Sequence, residues 1–197
     1  MIDSLTRVLS LISNALLIPV ILGLLGLMAW TLALLGGLLK ELIERGRVRR
    51  GLEHGVAAAR ERAGASRIWQ ALRESRSGLP NRFLLAAEAH AGDESAVNQV
   101  LARLEHDVAD SVARHTFITR VSPMLGLMGT LIPLGPALSG LSSGDMSALG
   151  SNLVVAFTAT VVGLLISGVA YGVGLLRRVW YARDLTDLEF IATRLTP

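Results

Sequence analysis

The chain contains no cysteine, which excludes a disulfide scaffold, a thiolate zinc site and a cysteine nucleophile. Aromatic residues are scarce at 5%, and charged residues make up only 18% of the 197 positions. At 51% hydrophobic, the chain is more apolar than a soluble domain of this length. The charges are also missing in blocks. No Asp, Glu, Lys, Arg or His occurs from Ala15 to Leu39, from Val121 to Leu141, or from Met146 to Leu176. A helix packed on a soluble core keeps a charged face at every turn or so, and these runs keep none. About 20 apolar residues cross the hydrocarbon core of a bilayer, so each run is long enough to span. The first run is too long for a signal-peptide core of about 7–15 residues, and no small-residue cleavage site precedes Lys40. The expected fold class is all-α: a polytopic membrane protein with three transmembrane helices and a cytoplasmic helical bundle.

The charge blocks divide the chain into a short extracytoplasmic segment (1–14), a first span (15–39), a cytoplasmic helical region (40–120), a second span (121–141), an outer hairpin (142–148), a third span (149–176) and a cytoplasmic C-terminal helix (177–197). Lysine and arginine set the orientation. They outnumber acids between Lys40 and Arg120 and recur at Arg177, Arg178, Arg183 and Arg194. The hairpin has no basic residue and the N-terminal tail only Arg7. The positive-inside rule then places the long loop and the C-terminus in the cytoplasm of a cell with this inner membrane, and the N-terminus outside. The net charge of +3 thus reads as topology. Without a nucleic-acid-binding motif or interleaved aromatics, no nucleic acid partner is expected.

The region 40–120 is rich in alanine, leucine, glutamate and arginine, which are strong helix formers. Breaks are expected at Gly46–Gly51, Gly64–Ser66, Ser77–Asn81 and Gly92-Asp93, with Asn81 and Asp93 as N-caps. From Asp93, Val97, Leu101, Leu104, Val108, Val112 and Phe117 recur at helical steps, predicting one long helix into the second span. Pro123 falls near the membrane boundary, where a kink is expected. After the third span, Arg177, Arg178, Trp180 and Tyr181 form an interface anchor of basic and aromatic residues. Leu185, Leu188, Ile191 and Leu195 continue a helical stripe.

The spans themselves carry faces of small residues. Gly126, Thr130, Pro133, Ala137 and Gly140 share one face of the second span, and Asn152, Ala156, Thr160, Gly163, Ser167, Ala170 and Gly174 one face of the third. Small residues let helix backbones approach closely, so Gly126, Gly129, Gly163, Ser167, Gly168 and Gly172 are read as helix-packing positions. The competing reading is the lining of a pore or of an enclosed partner. Proton carriers use intramembrane ionisable side chains as relays, and these spans have no Asp, Glu, Lys, Arg or His, so the titrating group must come from another subunit. His54, His90, His106 and His115 show no HExxH and no paired metal-ligand spacing. Gly126-x-x-Gly129 is not a phosphate loop, and Asp145 reads as a turn residue after Gly144. Arg60, Glu61, Arg62 and Glu74 read as a solvated face. No enzyme and no bound cofactor is expected.

The segment Ser122-Pro123-Met124-Leu125-Gly126-Leu127-Met128-Gly129-Thr130 closely resembles the A-P-L-L-G-L-L-G-T segment of the MotA/TolQ/ExbB proton-channel family. Ala159-Thr160-Val161-Val162-Gly163-Leu164 resembles that family's A-T-A-I-G-L segment, and the order of spans matches. The resemblance implies a TolQ/ExbB-like subunit of a motor driven by the proton motive force. It implies a homo-oligomer, a pentamer, that encloses two single-span partner helices of the ExbD, TolR or MotB kind. The partner brings the proton-binding acid, and protons are the coupling ion. Thr130 and Thr160 match the family's pore-facing threonines. Many TolQ/ExbB relatives carry a glutamate five residues before the second threonine; here that position is Val155, and Asn152 and Thr158 replace its polarity only in part. The alternative from another functional class is an oligomeric scaffold that conducts nothing.

Overall fold

The charge-free runs become the middles of three helices far longer than a span. The structure, a computed structural model, describes residues 2–62, 64–90 and 92–195. The side chain of Arg7, the basic residue of the N-terminal tail, lies outside the described residues. Five α-helices and one 3₁₀ turn make up the described chain, with no strand among those residues: α1 Ile2–Arg60, α2 Ala65–Arg73, α3 Gly78–Ala87, a 3₁₀ turn Glu88–His90, α4 Glu94–Ser142 and α5 Met146–Leu195. Helices α1, α4 and α5, of 59, 49 and 50 residues, are each long and apolar enough to cross a bilayer.

Two expected breaks do not occur where the sequence suggested. Helix α1 runs through Gly46–Gly51 without interruption. Gly51 is small for packing: a Cβ there would fall 2.2 Å from the Ser75 Oγ and 3.0 Å from the Ser75 backbone nitrogen. The fully buried Ser75 hydroxyl lies against α1 and donates to the Val48 carbonyl at 3.4 Å. Asn81 is not an N-cap. Helix α3 starts earlier, at Gly78 with Ser77 before it, and Pro80 sits in its first turn, where a missing N–H costs nothing. The other breaks fall as expected. Asp93 caps α4, its Oδ1 accepting from the Ser95 and Ala96 backbone N–H groups at 3.0 and 3.2 Å. A hydrogen bond from the Ser95 hydroxyl and those backbone donors hold the Asp93 carboxyl below the usual carboxylate range. The hairpin is tighter than 142–148, a turn of Ser143–Asp145 with Gly144 at φ +79° and Asp145 capping α5 through the Ala148 N–H.

The chain divides into two units, one of residues 1–35 and 115–172, the other of residues 36–114 and 173–197. In the second unit a conventional core gathers Leu52, Ile68, Leu72, Phe83, Val97, Leu188 and Ile191, with Trp69 stacked on Phe83 at 6.1 Å. Val97, Leu101 and Leu104 of the predicted α4 stripe are buried, as are Leu188, Ile191 and Leu195 of α5. Helix α5 reaches these without a break from its apolar part, so residues 177–195 extend it rather than form a separate helix.

The first unit packs Val20 and Leu24 of α1 against Ile118 and Ile132 of α4 and Ala159, Ile166 and Ala170 of α5. Large apolar side chains there point outward, among them Ile18, Leu22, Met124, Leu131, Phe157, Val161 and Leu165. Phe117, the last residue of the predicted stripe, belongs to this outward set at 55% exposure. A water-soluble unit of this size would not expose so many contiguous apolar side chains; in hydrocarbon they are at home.

Candidate functional site

The antiparallel seam between α4 and α5 in the first unit is where both recognised motifs meet. Its contacts run in opposite directions along the two helices: Gly140 meets Ala148, Gly129 meets Ala159, Gly126 meets Gly163, and Thr119 meets Ser167. A Cβ on Gly163 would lie 2.7 Å from the Ser122 carbonyl oxygen and 3.0 Å from the Gly126 Cα. On Gly129 it would lie 2.5 Å from the Ala159 Cβ, and on Gly126 3.2 Å from the Ala159 carbonyl oxygen. Backbones touch here, which only glycine allows. Gly168 and Gly172 differ: nothing lies within 4 Å of a Cβ at either, so they open away from the seam.

Hydroxyls stitch the same seam. Three prolines, Pro123, Pro133 and Pro136, lie inside α4. Proline has no N–H, so Pro123 leaves the Thr119 carbonyl without its i+4 donor. The Ser167 hydroxyl of α5 donates to that carbonyl at 2.8 Å. α4 therefore passes Pro123 as one helix, with its freed acceptor satisfied from the neighbour. The Thr160 hydroxyl reaches across to the Gly126 carbonyl at 3.4 Å. Thr130 and Thr158 instead donate within their own helices, to the Leu127 and Val154 carbonyls, both at 2.7 Å. The Asn152 amide donates to the Ala148 carbonyl at 2.8 Å.

These positions divide by exposure. Thr130, Thr160, Ser167 and Asn152 are half-buried, and Thr158 and Val155 face outward on α5. The structure thus gathers Gly126, Gly129, Gly163, Thr160 and Ser167 into one contact and leaves Thr158, Gly168 and Gly172 outside it.

The basic and aromatic group after the third run is built into the second unit. Arg177 is buried and holds Glu41 with two bonds, Nε to Oε2 at 3.0 Å and Nη2 to Oε1 at 2.9 Å. The Tyr181 hydroxyl donates to the same Glu41 at 3.0 Å. Burial and the Glu41 carboxylate push the Tyr181 phenol up to about 12, so it remains a proton donor. Trp180 lies under the Arg45 guanidinium at 5.2 Å, and Arg45 grips the buried Asp184 at 2.6 and 2.8 Å. Of this group only Arg178 is fully exposed. No local spacing signals these pairs, because the partners lie 136 to 140 positions apart in the sequence.

Among the histidines, His54 bonds Glu74 at 2.9 Å on the surface and His115 is buried at 3% exposure.

The α4–α5 seam can hold two helices at backbone contact, and it lines their junction with hydroxyls and carbonyls without placing any charge there. No curated protein matches the chain. A family model does: that of the MotA/TolQ/ExbB proton channel family matches residues 65–178, from the start of α2 through α4 and past the end of the third apolar run. The chain therefore belongs to the MotA/TolQ/ExbB proton channel family, and within it is a multi-pass membrane protein.

Proposed function

We propose that this chain is the channel and stator subunit of a motor driven by the proton motive force. It forms a ring, a pentamer, around a dimer of a single-span partner that carries the proton-binding acid. The carrying observation is the chemistry of the spans: hydroxyls at Thr130 and Thr160, with Thr158 outside the seam, in spans without any Asp, Glu, Lys, Arg or His. Each of these hydroxyls already donates to a backbone carbonyl. What each offers to a guest is therefore its acceptor lone pairs, which suit a protonated carboxyl or a water that carries the proton. The acid itself comes from the guest. A proton crossing the membrane releases about 2.3 kcal/mol for each 100 mV, so a few protons power a mechanical step.

In this reading the charged part of the second unit lies in the cytoplasm, consistent with its arginines, and the short hairpin lies outside. The chain performs no covalent chemistry and needs no cofactor other than the coupling proton. The outward glycines Gly168 and Gly172 are where a neighbouring helix would approach. The competing scaffold reading draws on the glycine contacts inside one chain, which need no conduction to explain them.

The test is the pair Thr130→Val and Thr160→Val, made together in the subunit co-expressed with its partner. Valine keeps the shape and removes the hydroxyl. Proton-coupled work should fall on the order of 10²-fold, the low end for a positioned proton-transfer group, while the ring still assembles. Unchanged work with an intact ring would favour the scaffold. A monodisperse monomer of the wild-type chain in mild detergent would remove the ring itself.

A further inference from the structure

We propose that the outward face of α1 between Leu39 and Arg50 binds the headgroup of an anionic phospholipid, with Lys40, Arg47 and Arg50 as its cationic ligands. The first charges after the apolar run, Lys40 and Glu41, suggest that hydrocarbon ends there. Side-chain exposure says otherwise. Leu39, Leu42 and Ile43 are exposed, Ile43 to 85%, the largest value among the exposed apolar side chains of α1. Glu41 is drawn inward to Arg177 and Tyr181 and does not interrupt that outer face. Ile43 is the last large apolar side chain exposed on α1.

One helical turn further the same face turns basic. Residues 39, 43, 46, 47 and 50 follow one another at helical i, i+3 and i+4 steps and share a side of α1. Arg47 and Arg50 are exposed, and among the described residues no carboxylate pairs with either of them or with Lys40. Their neighbours behave differently. Arg45 holds Asp184, and Arg49 holds Glu53, which raises its pKa through that hydrogen bond. Arg50 turns its Nε to the Gly46 carbonyl at 3.1 Å, which leaves the rest of its guanidinium open. Gly46 lies between Ile43, Arg47 and Arg50 with nothing within 4 Å of where a Cβ would be. The face therefore has open space at Gly46, the exposed guanidiniums of Arg47 and Arg50 beside it, and the Lys40 ammonium with exposed aliphatic side chains on its membrane side. That sequence of chemistry fits a molecule with an anionic head and acyl tails.

The full-length chain, purified into nanodiscs of phosphatidylcholine doped with phosphatidylglycerol, reads the proposal directly by native mass spectrometry of retained lipid. Wild-type protein should retain phosphatidylglycerol in preference to phosphatidylcholine. Arg47→Gln with Arg50→Gln should lower that retention on the order of tenfold, while Arg47→Lys with Arg50→Lys keeps most of it. Both sites are exposed, so folding is not at stake. Arg67→Gln with Arg103→Gln removes equal charge from other exposed positions and should leave retention unchanged. The proposal is overturned if the Arg47/Arg50 glutamine pair retains as much phosphatidylglycerol as wild type. It is equally overturned if the control pair loses as much, which would mean general charge attraction. A change in oligomer size caused by the Arg47/Arg50 pair in pure phosphatidylcholine would overturn it too, because a second copy would then cover this face.

Discussion

The two units hold themselves together with different kinds of side chain. The unit of residues 36–114 and 173–197 buries Phe83, Ile68, Leu72, Leu52 and Leu188 almost completely and fixes its edges with the Arg45–Asp184 and Arg177–Glu41 pairs. The unit of residues 1–35 and 115–172 turns many of its large side chains outward and buries Ala137, Ala156, Ala159 and Ala170 beside the seam glycines. In water, removing large apolar area is the main source of stability. Between lipid tails that gain vanishes, and what remains is close packing and the satisfaction of every backbone polar group. The contrast teaches that burial alone is a poor guide to importance here: Gly163 has no side chain, yet a Cβ there would fall 2.7 Å from a backbone carbonyl oxygen.

The largest effect that tests this contrast belongs to the aqueous-type core. Phe83→Ala removes a fully buried ring stacked on Trp69 and should cost about 3–5 kcal/mol, read by denaturant unfolding of the purified chain. Leu127→Ala, at a position 58% exposed in the other unit, should cost less than about 0.5 kcal/mol in the same measurement. Equal losses would erase the distinction between the units.

Next in size is the seam. Gly163→Ala places a methyl 2.7 Å from a carbonyl oxygen and 3.0 Å from a backbone Cα, neither of which can swing aside. The helices must separate, at about 1–3 kcal/mol. Gly168→Ala, five residues along the same helix, meets nothing within the chain, and alanine is the better helix former by about 1 kcal/mol. Thermal unfolding in detergent, under conditions that keep the chain monomeric, should therefore lower the midpoint for Gly163→Ala and leave it level or raised for Gly168→Ala. A fall with Gly168→Ala under those conditions would place a contact where the protomer has none.

Much of this was legible before any coordinates. The three long helices follow from blocks of missing charge, and the glycine–threonine face of α4 meets that of α5 because both repeat at steps of three and four. Asp93 announces its cap by chemistry that acts within three residues. What stayed hidden depends on partners far along the chain. Gly51 reads as a helix breaker until Ser75 is seen against it. Gly126 and Gly168 look alike as letters, yet one touches a neighbouring backbone and the other faces open space. Arg177 and Tyr181 read as residues at a membrane boundary because Glu41, their shared acceptor, is 136 and 140 positions away.

The smallest effect is the most specific. If Ser167 is present to satisfy the carbonyl that Pro123 frees, the two positions must be energetically coupled. Ser167→Ala alone leaves the Thr119 carbonyl without its 2.8 Å donor and should cost about 1 kcal/mol, within the range measured for hydrogen bonds between membrane helices. Pro123→Ala restores a backbone N–H one turn beyond Thr119, so the helix supplies its own donor. In that background Ser167→Ala should cost markedly less, and the double-mutant cycle should return a coupling of about 0.5–1 kcal/mol. Additive losses would mean that Ser167 acts by packing alone, and that α4 tolerates its proline without help from α5.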